Sequence, residues 1–402
     1  MSAAHGKANR EELDTLRDTI REFGRKSIRP RIRALESAGE FPRDIYRQLG
    51  QLGAYGCMFP AEQGGADMGY QALAIVAEEL AYAYPPLSAG MNLQAATVPL
   101  TIQNWGSKAQ IEQYVSGLIA GELLGCNGMS EPDGGTDFLG AMRTTARRDG
   151  DDYIINGQKM WITNANVADV AIIYCKTDSS AKHKGVSAFL VDTKTPGFEA
   201  RRVPCRVLGN LMPTNGLTFT DMRVPASSLL GQEGEGFKIA MTAMDYGRLV
   251  VAARSLGLAR ACLDAAVDYA DLRTAFGQKI GSFQMVKHQI ADMVVEVAAA
   301  RELVAKAARL YDEGDIATRD SSIAKYFAGE VCNRASQACT EIFGGYAFSD
   351  ELPVSIYLNY AKLWQTGEGS ANLQRVLIAD DALGWKPMDR HKVAVRNDAS
   401  AA

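Results

Sequence analysis

Val170-Ala171-Ile172-Ile173-Tyr174 and Val186-Ser187-Ala188-Phe189-Leu190-Val191 decide how this chain is organised. Both are β-branched and aromatic runs bounded by Gly, Asp, Asn and Lys turn residues, and Tyr153-Ile154-Ile155 is a third of the same kind. From about 123 to 232 no long helical pattern interrupts such runs, which predicts an antiparallel β region rather than alternating βαβ units. On both sides of it the apolar period lengthens. Before it, Leu13, Leu16, Ile20 and Phe23 recur at helical spacing. Asn9 with Glu12 three positions on has the form of a capping box. Pro42 suits the first turn of a helix through Ile45, Leu49 and Leu52, and a further helix over 71–83 stops at Pro85-Pro86. After Gly236, amphipathic stretches cover roughly 237–271, 283–313, 318–343, 351–363 and 370–383, as expected of a bundle. The expected architecture is α+β: an N-terminal all-helical domain (1–122), a middle β domain (123–235), and a C-terminal helical bundle (236–402) with a polar tail from about Lys386.

The 402 residues exceed what one core usually organises, in keeping with several domains. Net charge is −4 with no basic stripe, so nucleic acid is not an expected partner. No apolar run approaches the ~20 residues that span a bilayer. The acidic residues that follow Arg10 argue against a transit peptide. The seven cysteines are scattered and never form CxxC, which suits reduced thiols of a cytoplasmic protein. Four scattered histidines without HExxH imply no metal site. Gly231-Gln-Glu-Gly234-Glu-Gly236 precedes a helix but lies outside any parallel-strand pattern, so a Rossmann or P-loop site is not expected. No GxSxG elbow occurs.

Four segments carry candidate chemistry, each with a plainer alternative. Met129-Ser-Glu-Pro-Asp-Gly-Gly-Thr136-Asp137 offers close backbone approach and hydroxyl donors, or is a surface turn. Lys159-Met-Trp161-Ile-Thr163-Asn164 places a Trp where it could lie on a flat ring, or holds a core Trp. Leu272-Arg273-Thr-Ala-Phe276 through Gln284 offers a phosphate-binding Arg, or a solvated helix end. Gly367-Glu368-Gly369-Ser370 holds a carboxylate in a tight turn where desolvation would make it a base, or leaves it exposed.

In this order the segments resemble the acyl-CoA dehydrogenase family from about Glu11 to Gly384. The matches are Ser-Glu-Pro-Asp-Gly-Gly-Thr-Asp (130–137), Met-Trp-Ile-Thr-Asn (160–164), Arg-Thr-Ala-Phe-Gly (273–277), Ile-Phe-Gly-Gly-Tyr (342–346) and Glu-Gly-Ser (368–370). The resemblance implies FAD as cofactor and Glu368 as the base that removes the α-proton of an acyl-CoA thioester. Met129, Ser130, Trp161 and Thr163 would meet the flavin ring, and Thr136 the pyrophosphate or pantetheine. Arg273, Phe276, Gln284, Glu341, Phe343, Gly344 and Gly345 would hold pyrophosphate and adenosine, partly from a neighbouring subunit of a homotetramer. Ser370 and Asn372 would complete the flavin site; Thr136, Asp245, Arg248, Gly367 and Gly369 would line the substrate. Some members carry the base on the helix that here reads Asp245-Tyr-Gly247-Arg248, and Gly247 cannot act as one. An electron-transferring flavoprotein is the electron acceptor the resemblance implies.

The chain departs from the family at Gly367, where members carry Tyr, at Asn359-Tyr360, where they carry Arg-Asp, and at Ser370, where they carry Thr. Loss of a ring at 367 favours a bulky acyl group unless Trp364 refills the space. The Glu-Gly-Ser-Ala-Asn run and Leu258–Asp264 resemble the glutaryl-CoA dehydrogenase branch, which includes enzymes of anaerobic aromatic degradation. The arginine that glutaryl enzymes carry near Leu87-Ser88-Ala89 is not visible, so 2-benzylsuccinyl-CoA is the first expected substrate. Glutaryl-CoA, a branched short-chain acyl-CoA, a carrier-protein thioester, and a flavin oxidase or monooxygenase on the same fold are the alternatives.

Overall fold

The computed structural model describes residues 8–205, 208 and 211–388; the expected polar tail lies almost wholly outside them, as do His5 and His391. The first helices are α1 (Arg10–Phe23), α2 (Ile32–Ala38), α3 (Arg43–Gln51), α4 (Gly69–Ala83), α5 (Pro85–Asn92), α6 (Val98–Trp105) and α7 (Lys108–Ile119). The capping box forms: Asn9 Oδ1 accepts from the Glu12 N–H at 3.0 Å, and Glu12 Oε2 accepts from the Asn9 N–H at 2.7 Å. Pro42 stands just before α3 rather than inside its first turn. Pro85 does more than stop α4, because it opens α5 at the first helical position, where a missing N–H costs nothing. A π-helical turn, Leu93–Thr97, then joins α5 to α6.

The middle of the chain supplies β1 (Gly125–Gly128), a short α8 (Phe138–Ala141), β2 (Thr145–Asp149), β3 (Asp152–Thr163), β4 (Val170–Lys176), β5 (Val186–Asp192), β6 (Phe198–Arg202), β7 (Thr214–Pro225) and β8 (Leu229–Leu230). They form one sheet in the order β6-β7-β3-β2-β4-β5-β8, with β1 also paired to β4. The sheet is mixed. Most neighbours run antiparallel as expected, but β1 pairs β4 in parallel (Gly125↔Val170), and β2 meets β4 in parallel at Thr145↔Lys176. The β2–β3 hairpin intervenes in sequence, so the chain returns beside β1 in the same direction. β4 is buried on both faces: Val170, Ile172 and Tyr174 enter one core, while Ala171, Ile173 and Cys175 enter another. That is why its sequence is an unbroken apolar run and not an alternating one.

The last part contains α9 (Gly236–Leu272), the two-residue strands β9 (Thr274–Ala275) and β10 (Gln278–Lys279), α10 (Gln284–Asp312), α11 (Thr318–Phe343), α12 (Val354–Thr366) and α13 (Ala371–Ala382). α9 is the central post: it packs against α4, α10 and α11, and its start lies on β5. A Cβ at Gly236 would come within 2.6 Å of the Ser187 backbone, so this glycine serves close helix-to-strand approach. Charge ties α1, α4 and α9 together. The fully buried Glu79 of α4 takes Arg17 at 3.0 Å and Arg21 at 3.1 Å from α1, and Arg260 at 2.9 Å from α9. All seven cysteines are free thiols, and six of them are buried. Among the described residues, no helix is long and apolar enough to cross a membrane.

Candidate active site

α12 ends at Thr366, and its continuation past Gly367 is a turn that puts Glu368 in the left-handed region at φ 51°. A glutamate there costs roughly 1–2 kcal/mol, a strain typical of residues fixed for function. The turn is held from both ends. Lys325, buried on α11, donates to the carbonyls of Gln365 and Gly369. Ser370 caps α13, its Oγ accepting from the Leu373 N–H at 3.2 Å. Burial pushes the Lys325 ammonium down to about 8, with the Glu368 charge opposing that shift.

The carboxylate reaches back across the molecule. Oε2 accepts from Asn92 Nδ2 of α5 at 2.8 Å, and Oε1 from Arg254 Nη2 of α9 at 3.2 Å. Gly247 lies opposite: a Cβ there would stand 2.7 Å from Glu368 Oε2. A side chain at position 247 and the Glu368 carboxylate would therefore claim the same volume. Asn92, Lys325 and Arg254 are residues that sequence reasoning missed, and of these Arg254 left a signal. Its signal was its place seven residues, or two helical turns, beyond Gly247, which puts both on one face of α9. Its Nη1 donates to the Ala89 carbonyl at 3.1 Å and the Ser88 carbonyl at 3.4 Å. Burial lowers its proton affinity while Glu368 acts to keep it charged. Arg248 bonds to Asp245 one turn back, and Asp245 also accepts from Thr318 at 3.3 Å.

A second cluster forms where β1 runs into the 129–137 loop. Glu131 is buried, with its Oε1 2.7 Å from Lys159 Nζ, and it accepts from the N–H groups of Arg143 (2.6 Å) and Thr144 (3.1 Å). Burial opposes its charge, yet Lys159 and these donors hold its carboxyl below the ordinary range. The loop is thereby pinned to β3, and the Met160 N–H reaches the Ser130 carbonyl at 2.9 Å. The β3–β7 register slips between Lys159 and Ile162, and Trp161 adopts φ 65° in that bulge. A bulge turns a side chain out of the pleat. Trp161 is 59% exposed, so of the two alternatives for it the core one does not hold. Ser130 is tied to the backbone next to Trp161 and Thr163 lies two residues on, so an exposed indole and two hydroxyl-bearing residues share this stretch, a set that suits a planar heteroaromatic ring. Thr136 is exposed at the end of the loop, where Asp137 caps α8.

A third group lies at the far end of α9. Phe276 (φ 52°) and Gly277 (φ 75°) make the turn between β9 and β10, leaving Phe276 96% exposed. The Arg273 guanidinium lies 5.6 Å from the Tyr346 ring centre, and Phe343 stacks on Tyr269 at 4.1 Å. Gln284, Glu341, Gly344 and Gly345 are exposed around it, and Glu341 accepts from Gln289. None of the Glu368 contacts involves this group. Asn372 Oδ1 accepts from Arg375 at 2.9 Å. Gly369 (φ 87°) lies beside Gln374, while at Gly367 a Cβ would meet only the Leu363 carbonyl at 3.3 Å. Trp364 is buried against Tyr360.

Family models describing the N-terminal, middle and C-terminal domains of acyl-CoA dehydrogenases match residues 10–122, 126–222 and 234–383. A glutaryl-CoA dehydrogenase of Desulfococcus multivorans is 38% identical over 94% of this chain and 98% of its own length. A solved glutaryl-CoA dehydrogenase in complex with glutaryl-CoA superposes with a TM-score of 0.92 at 37% identity, over 96% of this chain and 98% of its own. A glutaryl-CoA dehydrogenase of Mycobacterium smegmatis in complex with FADH2 superposes with a TM-score of 0.88 at 27% identity, over 95% of this chain and 97% of its own.

Proposed function

The chain belongs to the acyl-CoA dehydrogenase family of flavin-dependent oxidoreductases, and from that premise we propose that Glu368 removes the α-proton of an acyl-CoA thioester. The observation that carries this reading is the Glu368 turn. A carboxylate is held at strained φ between two glycines, aimed into space that Gly247 leaves empty and fastened by Asn92 and Arg254. A base fixed in this way loses little entropy in reaching its proton.

FAD is the cofactor, and when bound it supplies the two-electron acceptor for the hydrogen that leaves Cβ. Trp161, Ser130, Thr163 and Met129 are the residues proposed to meet its ring; Ser370 and Asn372 border it on the Glu368 side. Arg273, Phe276, Gln284, Glu341, Phe343, Gly344 and Gly345 are proposed to grip pyrophosphate and adenosine across a subunit boundary of a homotetramer. Within the chain, Glu368 ends the half-reaction protonated, and the thioester becomes its α,β-unsaturated counterpart. The Glu368 N–H is proposed to donate to the thioester oxygen as charge builds on it. An electron-transferring flavoprotein would carry the electrons onward. Thr136, Asp245, Arg248, Gly367 and Gly369 are assigned to the substrate side.

A bulky or dicarboxylic acyl group, such as 2-benzylsuccinyl or glutaryl, is the proposed substrate class. The open position at Gly367 supports this, since only the Leu363 carbonyl would border a side chain there. Anaerobic titration with butyryl-, isovaleryl-, glutaryl- and benzylsuccinyl-CoA, followed by flavin absorbance, tests the assignment. Prompt bleaching by one thioester is the expected result. Glu368→Gln should retain flavin and fail to bleach with that thioester; near-normal turnover in this variant would refute Glu368 as the base.

A further inference from the structure

Arg254 is paired with the base by only one of its nitrogens. Nη1 is committed to the carbonyls of Ser88 and Ala89, and Nη2 meets Glu368 Oε1 at 3.2 Å, longer than the ~2.7–2.9 Å of a firm charge-assisted bond. Nε is buried and has no partner, and neither does the buried Asn92 Oδ1. The Nε–Nη2 edge of a guanidinium matches a carboxylate with two parallel bonds, and Glu368 uses half of that edge at most. A buried N–H left without an acceptor costs roughly 1–3 kcal/mol, so a vacant donor here needs an occupant to explain it.

Charge counting around the turn points the same way. Arg248 is balanced by Asp245, and Glu330 by Arg375 at 3.3 Å. That leaves Arg254 and Lys325 facing a single carboxylate, Glu368, with one cation in excess. An acyl chain ending in methyl would bring nothing to balance it. A second carboxylate would.

We propose that Arg254 is the receptor for a second carboxylate on the acyl group, so that the substrate is a thioester of a short dicarboxylic acid. On this assignment Arg254 serves both states of the site. Before substrate enters, it steadies Glu368 through Nη2. When the acyl group enters, its free carboxylate takes the Nε–Nη2 edge, and Glu368 is released toward Cα with Asn92 as its remaining partner. Arg254 is fixed against the backbone of Ser88 and Ala89, so the receptor is held from α9 onto α5. The assignment rests on Glu368 being the base. Its competitor is an Arg254 that only holds Glu368 in place.

Binding without turnover separates the two. Glutaryl-CoA and butyryl-CoA are titrated into the FAD-loaded Glu368→Gln enzyme and into Glu368→Gln/Arg254→Gln. Glu368→Gln should bind glutaryl-CoA about tenfold or more tightly than butyryl-CoA, and the double variant should lose that preference. Equal affinities in Glu368→Gln, or a preference that survives loss of Arg254, would overturn the proposal. Steady-state rates of Arg254→Gln and Arg254→Lys in the otherwise unchanged enzyme give a second reading. The expected loss is a rise in KM for glutaryl-CoA that exceeds the change for butyryl-CoA by about tenfold, with partial rescue by lysine. An equal loss for both substrates, carried by kcat, would show a holding role only. Flavin bleaching of the unmodified enzyme is read separately: bleaching by butyryl-CoA but not by glutaryl-CoA overturns this proposal and leaves Glu368 as the base.

Discussion

At the scale of single residues, the site depends on a side chain that is absent. Gly247 is buried on α9, and the Glu368 carboxylate occupies the room a methyl group would need. The obstructing atom is the tip of a flexible side chain, so Gly247→Ala should fold and retain flavin. Glu368 would have to yield, and a displacement on the order of 1 Å costs about 10²-fold in rate. We therefore expect near-unchanged thermal stability with flavin reduction slowed by about two orders of magnitude. A rate within twofold of the parent would mean that Glu368 works from another rotamer. The motif Glu-Gly-Ser was readable as a candidate base in the chain, whereas Arg254 was not. Helical phase places Arg254 on the face of Gly247, but nothing local to α9 names the carboxylate, more than a hundred residues away, that it faces.

At the scale of elements, the turn after α12 is steadied by a lysine from its neighbour. Lys325 on α11 holds the Gln365 and Gly369 carbonyls, and burial drives its ammonium from 10.5 to about 8. Because the folded-state value is the lower one, the folded protein binds fewer protons than the unfolded chain between those limits. Stability from this group therefore rises as pH climbs from about 8 toward 10.5. The gain is on the order of 2–3 kcal/mol across that interval. Lys325→Met should lose this alkaline gain, seen as denaturation midpoints that no longer separate between pH 7.5 and 10. An unchanged pH dependence would show that the lysine is already solvated. Helix positions were legible because the 3.6-residue apolar period is local. The mixed pairing of β1 with β4 was not, because strand direction is set by which segment closes back on which, and no local pattern records it.

At the scale of the whole molecule, the far end of α9 and the outer face of α10 leave large apolar side chains exposed. Phe276 is 96% exposed, Leu272 79%, Met285 72% and Val295 67%. A patch of that kind marks an interaction surface, and a second copy of the chain is the partner proposed above. Val295→Asp should fold as a monomeric unit, sediment below the tetramer, and carry less flavin per chain, since the cofactor grip at Arg273 and Phe343–Gly345 is proposed to be shared. A tetramer with full flavin would place the interface elsewhere.

Sequence alone determined the helix–β–helix order, the limits of the long C-terminal helices to within a few residues, and the family, because periodicity, capping residues and short motifs are properties of neighbours along the chain. Only the tertiary structure decided that Trp161 faces outward, that Glu131 and Lys159 pin the loop beside it, and that Glu368 is fastened by Asn92 and Arg254 against the bare face of Gly247. Each of these joins residues distant in sequence, and their charges and volumes are balanced only once α5, α9 and the turn after α12 have packed.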